Sequence, residues 1–162
     1  MKKTILALSL AVLSIGASGC VDTTTPEGAV KAAYHYMTVG QPLFFRSTLA
    51  EPARSEYGNP EGMSALAQKL AGMKLLVQSA AYLGGERSDW GNKTVYHYSV
   101  PVFTQQLSAP TSPFVNTIEA RVNCTVGYRW VTDTTGIEPG RGGVNRTRER
   151  KVSCFVSELR FL

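Results

Sequence analysis

A run of alternating side chains in the last third of the sequence constrains this chain more than any other feature. From Phe114 onward the even positions Phe114, Ile118, Ala120, Val122, Cys124, Val126, Tyr128 and Trp130 are mostly apolar, while Thr117, Glu119, Arg121, Asn123, Thr125 and Arg129 fall between them. Successive side chains of a strand point to opposite sides, so this period of two predicts one long strand with a single buried face. A Gly- and Pro-containing connection over 133–143 leads to a last strand running from Val144 to the C-terminus. Within it Val152, Cys154 and Val156 point one way, but Phe155, Leu159 and Phe161 point the other. Either a bulge separates the two sets or both faces are covered at that end.

The preceding residues read as helices followed by strands. Thr25-Pro26-Glu27 offers a cap hydroxyl, a proline at the first helical position and an acid in the first turn. The helix it opens should run to Val39, with Ala29, Val30, Ala33, Tyr34 and Met37 as its apolar stripe and Gly40 and Pro42 ending it. A short helix is expected around Ser47 to Tyr57, a turn at Gly58-Asn59-Pro60, and a third helix over Glu61 to Ala71 on the spacing of Met63, Leu66, Ala67 and Leu70. Residues 73–83 fit both periods, and a strand is the preferred reading. Gly84-Gly85, with Asp89-Trp90-Gly91-Asn92, then forms a hairpin connection into a strand over Thr94 to Thr104. Tyr96, Tyr98, Val100 and Val102 share one face of that strand, and Pro101 places it at an edge or at a bulge. Helices first and about four antiparallel strands after them is an α+β layout, in which a curved sheet wraps the N-terminal helix.

The first residues address the chain to the cell envelope. Lys2 and Lys3 precede an apolar run, Ile5 to Ile15, that is too short to span a bilayer as a mature helix, which marks a signal sequence. It ends in Ala17-Ser18-Gly19-Cys20. Small residues directly before a cysteine resemble the lipobox of bacterial lipoproteins, although Ala17 stands where that family usually has Leu. The resemblance implies cleavage before Cys20 and acyl chains on its thiol and new amine, which anchor firmly because more than one chain is buried. Ala17 and Gly19 also fit an ordinary secretory cut after Gly19. Val21, rather than an Asp, follows the cysteine, which in that family implies sorting to the outer membrane, facing the periplasm. The expected organisation is a signal peptide over 1–19, a lipidated tether over 20–25 and one domain over 26–162. Cys20 to Thr25 reaches at most about 17 Å, so the domain must sit close to its membrane.

Cysteine parity agrees. Three cysteines are an odd number for an exported protein, and lipidation of Cys20 leaves Cys124 and Cys154, which an oxidising compartment should join. Direct pairing across an antiparallel hairpin sets Val126 opposite Val152, Val122 opposite Val156 and Ile118 opposite Arg160. It also sets Tyr128 against Arg150 and Trp130 against Arg148, placed for cation–π contact. No metal site is expected, because no CxxC or clustered histidines accompany the cysteines.

The Thr-Pro-Glu-Gly-Ala-Val-Lys opening after a lipid-modified cysteine, with this element order, resembles small bacterial lipoproteins of the nuclear transport factor 2 and cystatin-like superfamily. The resemblance implies a cone-shaped sheet over residues 25–162 and transfers no functional residue, since that fold hosts enzymes, binders and scaffolds. Three features bear on function. Arg141, Arg146, Arg148, Arg150 and Lys151 crowd the last hairpin with Glu149 as the only acid among them. Such density suits phosphates of lipid headgroups, lipopolysaccharide or an acidic protein face, and it also suits a solvated edge protected from aggregation. Nucleic acid is disfavoured by the compartment, despite a sequence pI of about 9.2. The cone interior offers Tyr34, His35, Asp89, His97 and Glu119, none in a diagnostic catalytic spacing, and no cofactor fingerprint is present, so catalysis is not expected. The short tether favours a part held against an envelope assembly. The resulting expectation is a non-catalytic accessory lipoprotein of a secretion- or conjugation-type complex, with a lipid or small apolar ligand binder, or an exclusion or immunity lipoprotein, as alternatives.

Overall fold

A computed structural model describes residues 21–87, 93–133 and 145–162 of the chain. Helix α1, Pro26–Thr38, starts where Thr25 caps it: the Thr25 hydroxyl accepts from Gly28 N–H at 3.1 Å, and Pro26 stands at the first helical position. Its buried face comprises Ala29, Val30, Ala32, Ala33 and Met37. Of the helix expected around Ser47 to Tyr57 only the end forms, as α3 (Ala53–Tyr57), and a separate helix α2 (Pro42–Ser47) precedes it. The interruption has a tertiary cause, because Leu49 forms a parallel bridge to Val156 of the sheet and Pro52 cannot continue a helical hydrogen-bond ladder. Helix α4, Pro60–Leu70, is capped by Asn59, whose side chain accepts from Gly62 N–H at 2.7 Å.

Five strands follow, β1 (Met73–Val77), β2 (Ala81–Arg87), β3 (Thr94–Gln106), β4 (Val115–Asp133) and β5 (Asn145–Phe161). They form one antiparallel, curled sheet in the order β1-β3-β4-β5, with β2 also paired to β3. The strand expected over 73–83 is therefore an edge broken in two at residues 78–80. Glu27 of α1 closes the break, its carboxylate accepting from Ala80 N–H at 2.6 Å. Gly84 and Gly85 are not a turn, because both lie within β2. Gly84 follows a bulge at φ +138°, a conformation that requires glycine, and Gly85 leaves room for the Tyr96 ring opposite it. Strand β3 is internal rather than an edge, and Pro101 is tolerated because it faces the interrupted part of β1–β2, where its carbonyl accepts from Gln78 N–H.

The core lies between the helices and one half of the sheet's inner face. Val100, Val102, Ile118, Ala120, Val122 and Val156 meet Ala29, Val30, Met37, Phe45, Leu49, Leu66 and Leu70 there. A disulfide joins Cys124 and Cys154, direct cross-strand partners with Cα atoms 3.9 Å apart. Val126 faces Val152 and Val122 faces Val156, as expected. Ile118, however, faces Phe161 rather than Arg160, because the register shifts by one beside Arg121 and Ser157 is the extra residue on β5. That bulge carries the apolar parity of β5 from Val156 to Leu159, which packs against the core.

The start of the described chain is bound to β5. Cys154 N–H donates to Thr23 C=O at 2.8 Å, so the outer edge of β5 is occupied beside the disulfide. Thr48 and Ala50 occupy it again at Val156. Asp22 Oδ1 accepts from Thr24 N–H and Oγ1, which holds the Asp22 carboxyl below its usual range. Gly28 lets this segment fold back, for a Cβ there would lie 1.9 Å from Asp22 C=O.

Two stability measurements check this arrangement. Cys124→Ser with Cys154→Ser should cost about 2–4 kcal/mol in denaturant unfolding, and non-reducing peptide mapping of the wild type should show the cross-link; an unchanged midpoint or free thiols would contradict the staple. Gly28→Ala should lower stability by about 1–3 kcal/mol although alanine is the better helix former, and a rise would mean that residues 21–25 do not pack against α1.

Candidate functional site: the β4–β5 ribbon

Strand β3 ends its pairing with β4 at Thr94 opposite Val126. From Gly127 opposite Lys151 to Asp133 opposite Asn145, β4 and β5 pair only with each other among the described residues. Six further residue steps take this two-stranded ribbon about 20 Å beyond the body at the usual strand rise. The alternation that buries Val122, Cys124 and Val126 continues outward without a cover. Tyr128 is 51% exposed and Trp130 is 68% exposed, although both lie on the same face as the core residues.

Strand parity divides the basic residues. Arg150 opposes Tyr128, Arg148 opposes Trp130 and Arg146 opposes Thr132, so three arginines share the aromatic face and all are exposed. Arg148 lies over Tyr128 with its guanidinium 4.2 Å from the ring centroid. The cation–π contact is thus made to the diagonal neighbour, in place of the expected stacking of Arg148 on Trp130, because a long arginine stem leans along the strand to the partner two residues away. Lys151 points to the opposite face, with Gly127, Arg129 and Glu149. Glu149 pairs there with Arg129 at 2.8 Å and so leaves the arginine face without an acid among the described residues. Arg141 and Cys20 lie outside the described residues, as does Asp89.

The aromatic strip continues back towards the body. Tyr82 of β2 and Tyr96 and Tyr98 of β3 occupy the same inner face, with the Tyr96 and Tyr98 ring centroids 6.2 and 5.6 Å from that of Tyr82. Tyr96 stands opposite Cys124. Alternation alone places Tyr128 and Trp130 on the apolar face, but it carries no sign that the helices stop short of them. Arg129 and Lys93 were not singled out by sequence, because neither falls in the basic run.

The polar residues expected to line the interior do not converge, and His97 and Glu119 lie on the outer face of the sheet. His97 Nδ1 lies 2.8 Å from Asn123 Oδ1, and its Nε2 lies 3.5 Å from Glu86. Glu119 accepts from Ser99 Oγ at 2.6 Å and pairs with Arg121 at 3.0 Å, on the outer face of the sheet. His35 is exposed beside Tyr36. Tyr34 lines the cavity between helices and sheet, whose volume is 40 Å3, roughly the space of one water. Among the described residues no group of three His, Cys, Asp or Glu is placed to hold a metal ion, and no helix is long and apolar enough to cross a membrane. No protein-family model matches the chain, and no curated protein is significantly similar to it.

If the aromatic face of the ribbon is solvent rather than core, Tyr128→Ala with Trp130→Ala should change stability by less than about 0.5 kcal/mol. Val122→Ala in the same strand should cost roughly 1–3 kcal/mol. Comparable losses for the two variants in urea unfolding would place the aromatics in the core.

Proposed function

We propose that this chain is an outer-membrane lipoprotein, acylated at Cys20 and facing the periplasm, that serves as a non-catalytic contact subunit of an envelope assembly of the secretion or conjugation type. Its contact element is the inner face of the β4–β5 ribbon, and its partner presents an acidic protein surface. The observation that carries this reading is the coincidence of Tyr128, Trp130, Arg146, Arg148 and Arg150 on one uncovered face. Aromatic residues and arginines concentrate at protein interfaces, because they combine buried area with directional charge recognition. The reading gains support from the attachment of Thr23 to β5. Three peptide steps separate Cys20 from Thr23, at most about 11 Å, so acylation would hold the base of the ribbon next to lipid.

The curled sheet over α1 is compatible with the cone of the nuclear transport factor 2 and cystatin-like superfamily, and we place the chain there as part of this proposal. The ligand-binding alternative draws no support from the interior, since a 40 Å3 cavity cannot hold an acyl chain. Anionic lipid or lipopolysaccharide remains the competing occupant of the arginine face, and the experiment separates it from a protein.

The full-length chain is extracted from its native envelope in mild detergent and purified beside Arg148→Glu/Arg150→Glu and Arg148→Lys/Arg150→Lys variants. A protein recovered in fixed stoichiometry with the wild type, lost with the glutamates and largely retained with the lysines, is the expected result. Equal recovery by all three variants, or recovery of lipid alone, would overturn the reading. Intact mass should show a mature chain beginning at Cys20 with fatty acids attached, and a chain without them would remove the anchor.

A further inference from the structure

The opposite face of the ribbon holds a second feature that the contact reading does not use, a cleft of 380 Å3. Thr125 and Ser153 are direct cross-strand partners at one end of it, and Gly127 opposite Lys151 forms the next row. Lys93, just before β3, leans over from the side. Among the described residues no acid lines the cleft. Glu149, the acid nearest in register on this face, is occupied by Arg129.

Gly127 is the informative residue. It lies inside a 19-residue strand, where glycine weakens pairing and often marks the close approach of a ligand. The fold does not demand it. Its φ is not among the positive values, and a Cβ at this position would meet only Lys93 Cγ, at an ordinary 3.7 Å. The missing side chain therefore opens the sheet floor in a cleft that Lys93, Lys151, Thr125 and Ser153 also line, instead of relieving a clash.

We propose that this cleft is an anion site that takes a phosphate ester. Lys93 and Lys151 supply charge, the Thr125 and Ser153 hydroxyls donate directional hydrogen bonds, and the missing side chain at Gly127 leaves the space between them for phosphate oxygens. A phospholipid headgroup and a soluble phosphate ester offer the same chemistry. The headgroup is the nearer source, because Ser153 adjoins Cys154, where the N-terminal segment is hydrogen-bonded to β5. The site itself requires neither acylation of Cys20 nor any partner on the arginine face, whereas the ranking of the headgroup as the nearer source rests on that acylation.

Calorimetric titration of the detergent-solubilised full-length chain with inorganic phosphate, and with glycerophosphoglycerol as the deacylated headgroup, tests it. Saturable binding is expected, weakened about tenfold or more by Gly127→Val and by Lys151→Glu, with Arg148→Glu/Arg150→Glu leaving it within about twofold. Valine suits a strand interior, so Gly127→Val should retain or raise the unfolding midpoint and report on the cleft alone. Tighter binding of glycerophosphoglycerol would identify a lipid source, and equal or tighter binding of inorganic phosphate a soluble one; either supports the site. Absence of saturable binding of both, or affinities unchanged by Gly127→Val and Lys151→Glu, would overturn it.

Discussion

The pairing of β4 with β5 at Cys124 and Cys154 is the constraint on which the rest of the molecule depends. The Cys154 N–H is directed away from β4, towards Thr23, which makes the two cysteines a non-hydrogen-bonded cross-strand pair, the closer of the two pair types. Every second residue of β5 consequently turns its backbone groups outward, and the fold uses them. Cys154 binds Thr23, while Val156 donates to Thr48 C=O and accepts from Ala50 N–H. One strand edge thus secures the start of the domain and the link between α2 and α3, and the same bonds cover an edge that would otherwise be open to another chain.

Helical cover ends near the disulfide, and beyond that limit the inner face of the ribbon lies uncovered. Burying apolar area is favourable only where something covers it. Inward of the disulfide, alternation builds a core; outward of it, the same alternation displays aromatic rings beside arginines. The opposite parity collects lysines, hydroxyls and an unneeded glycine. Among the described residues the outer part of the ribbon pairs with no third strand, and its two faces carry different sets of side chains. Glu149 matters to this division, since pairing with Arg129 keeps the one acid of the basic run away from the three arginines.

Local interactions account for the places where the chain leaves regular structure. Glu27, placed by its sequence neighbours in the first turn of α1, also satisfies the Ala80 amide in the gap between β1 and β2. That gap is where Pro101 can sit inside the sheet without stranding a partner. The Ser157 bulge allows a strand whose inward residues are even-numbered at one end and odd-numbered at the other to serve a single core.

Much of this was legible in residue order. The cap at Thr25, the stripe of α1, the length of β4 and the register around Cys124 and Cys154 all follow from short-range periodicity and from one covalent constraint, both of which belong to the chain itself. The break between α2 and α3 over residues 48–52 was not legible, because it depends on Leu49 meeting Val156, far away in sequence. The pair of glycines at 84 and 85 read as a turn, since glycine signals permissive backbone without saying whether a bulge or a reversal uses it. Sequence could place five basic residues on one hairpin, but only the tertiary structure decided which of the described ones share a face with exposed aromatics. Parity is a property of the strand, whereas exposure depends on where distant helices stop covering it.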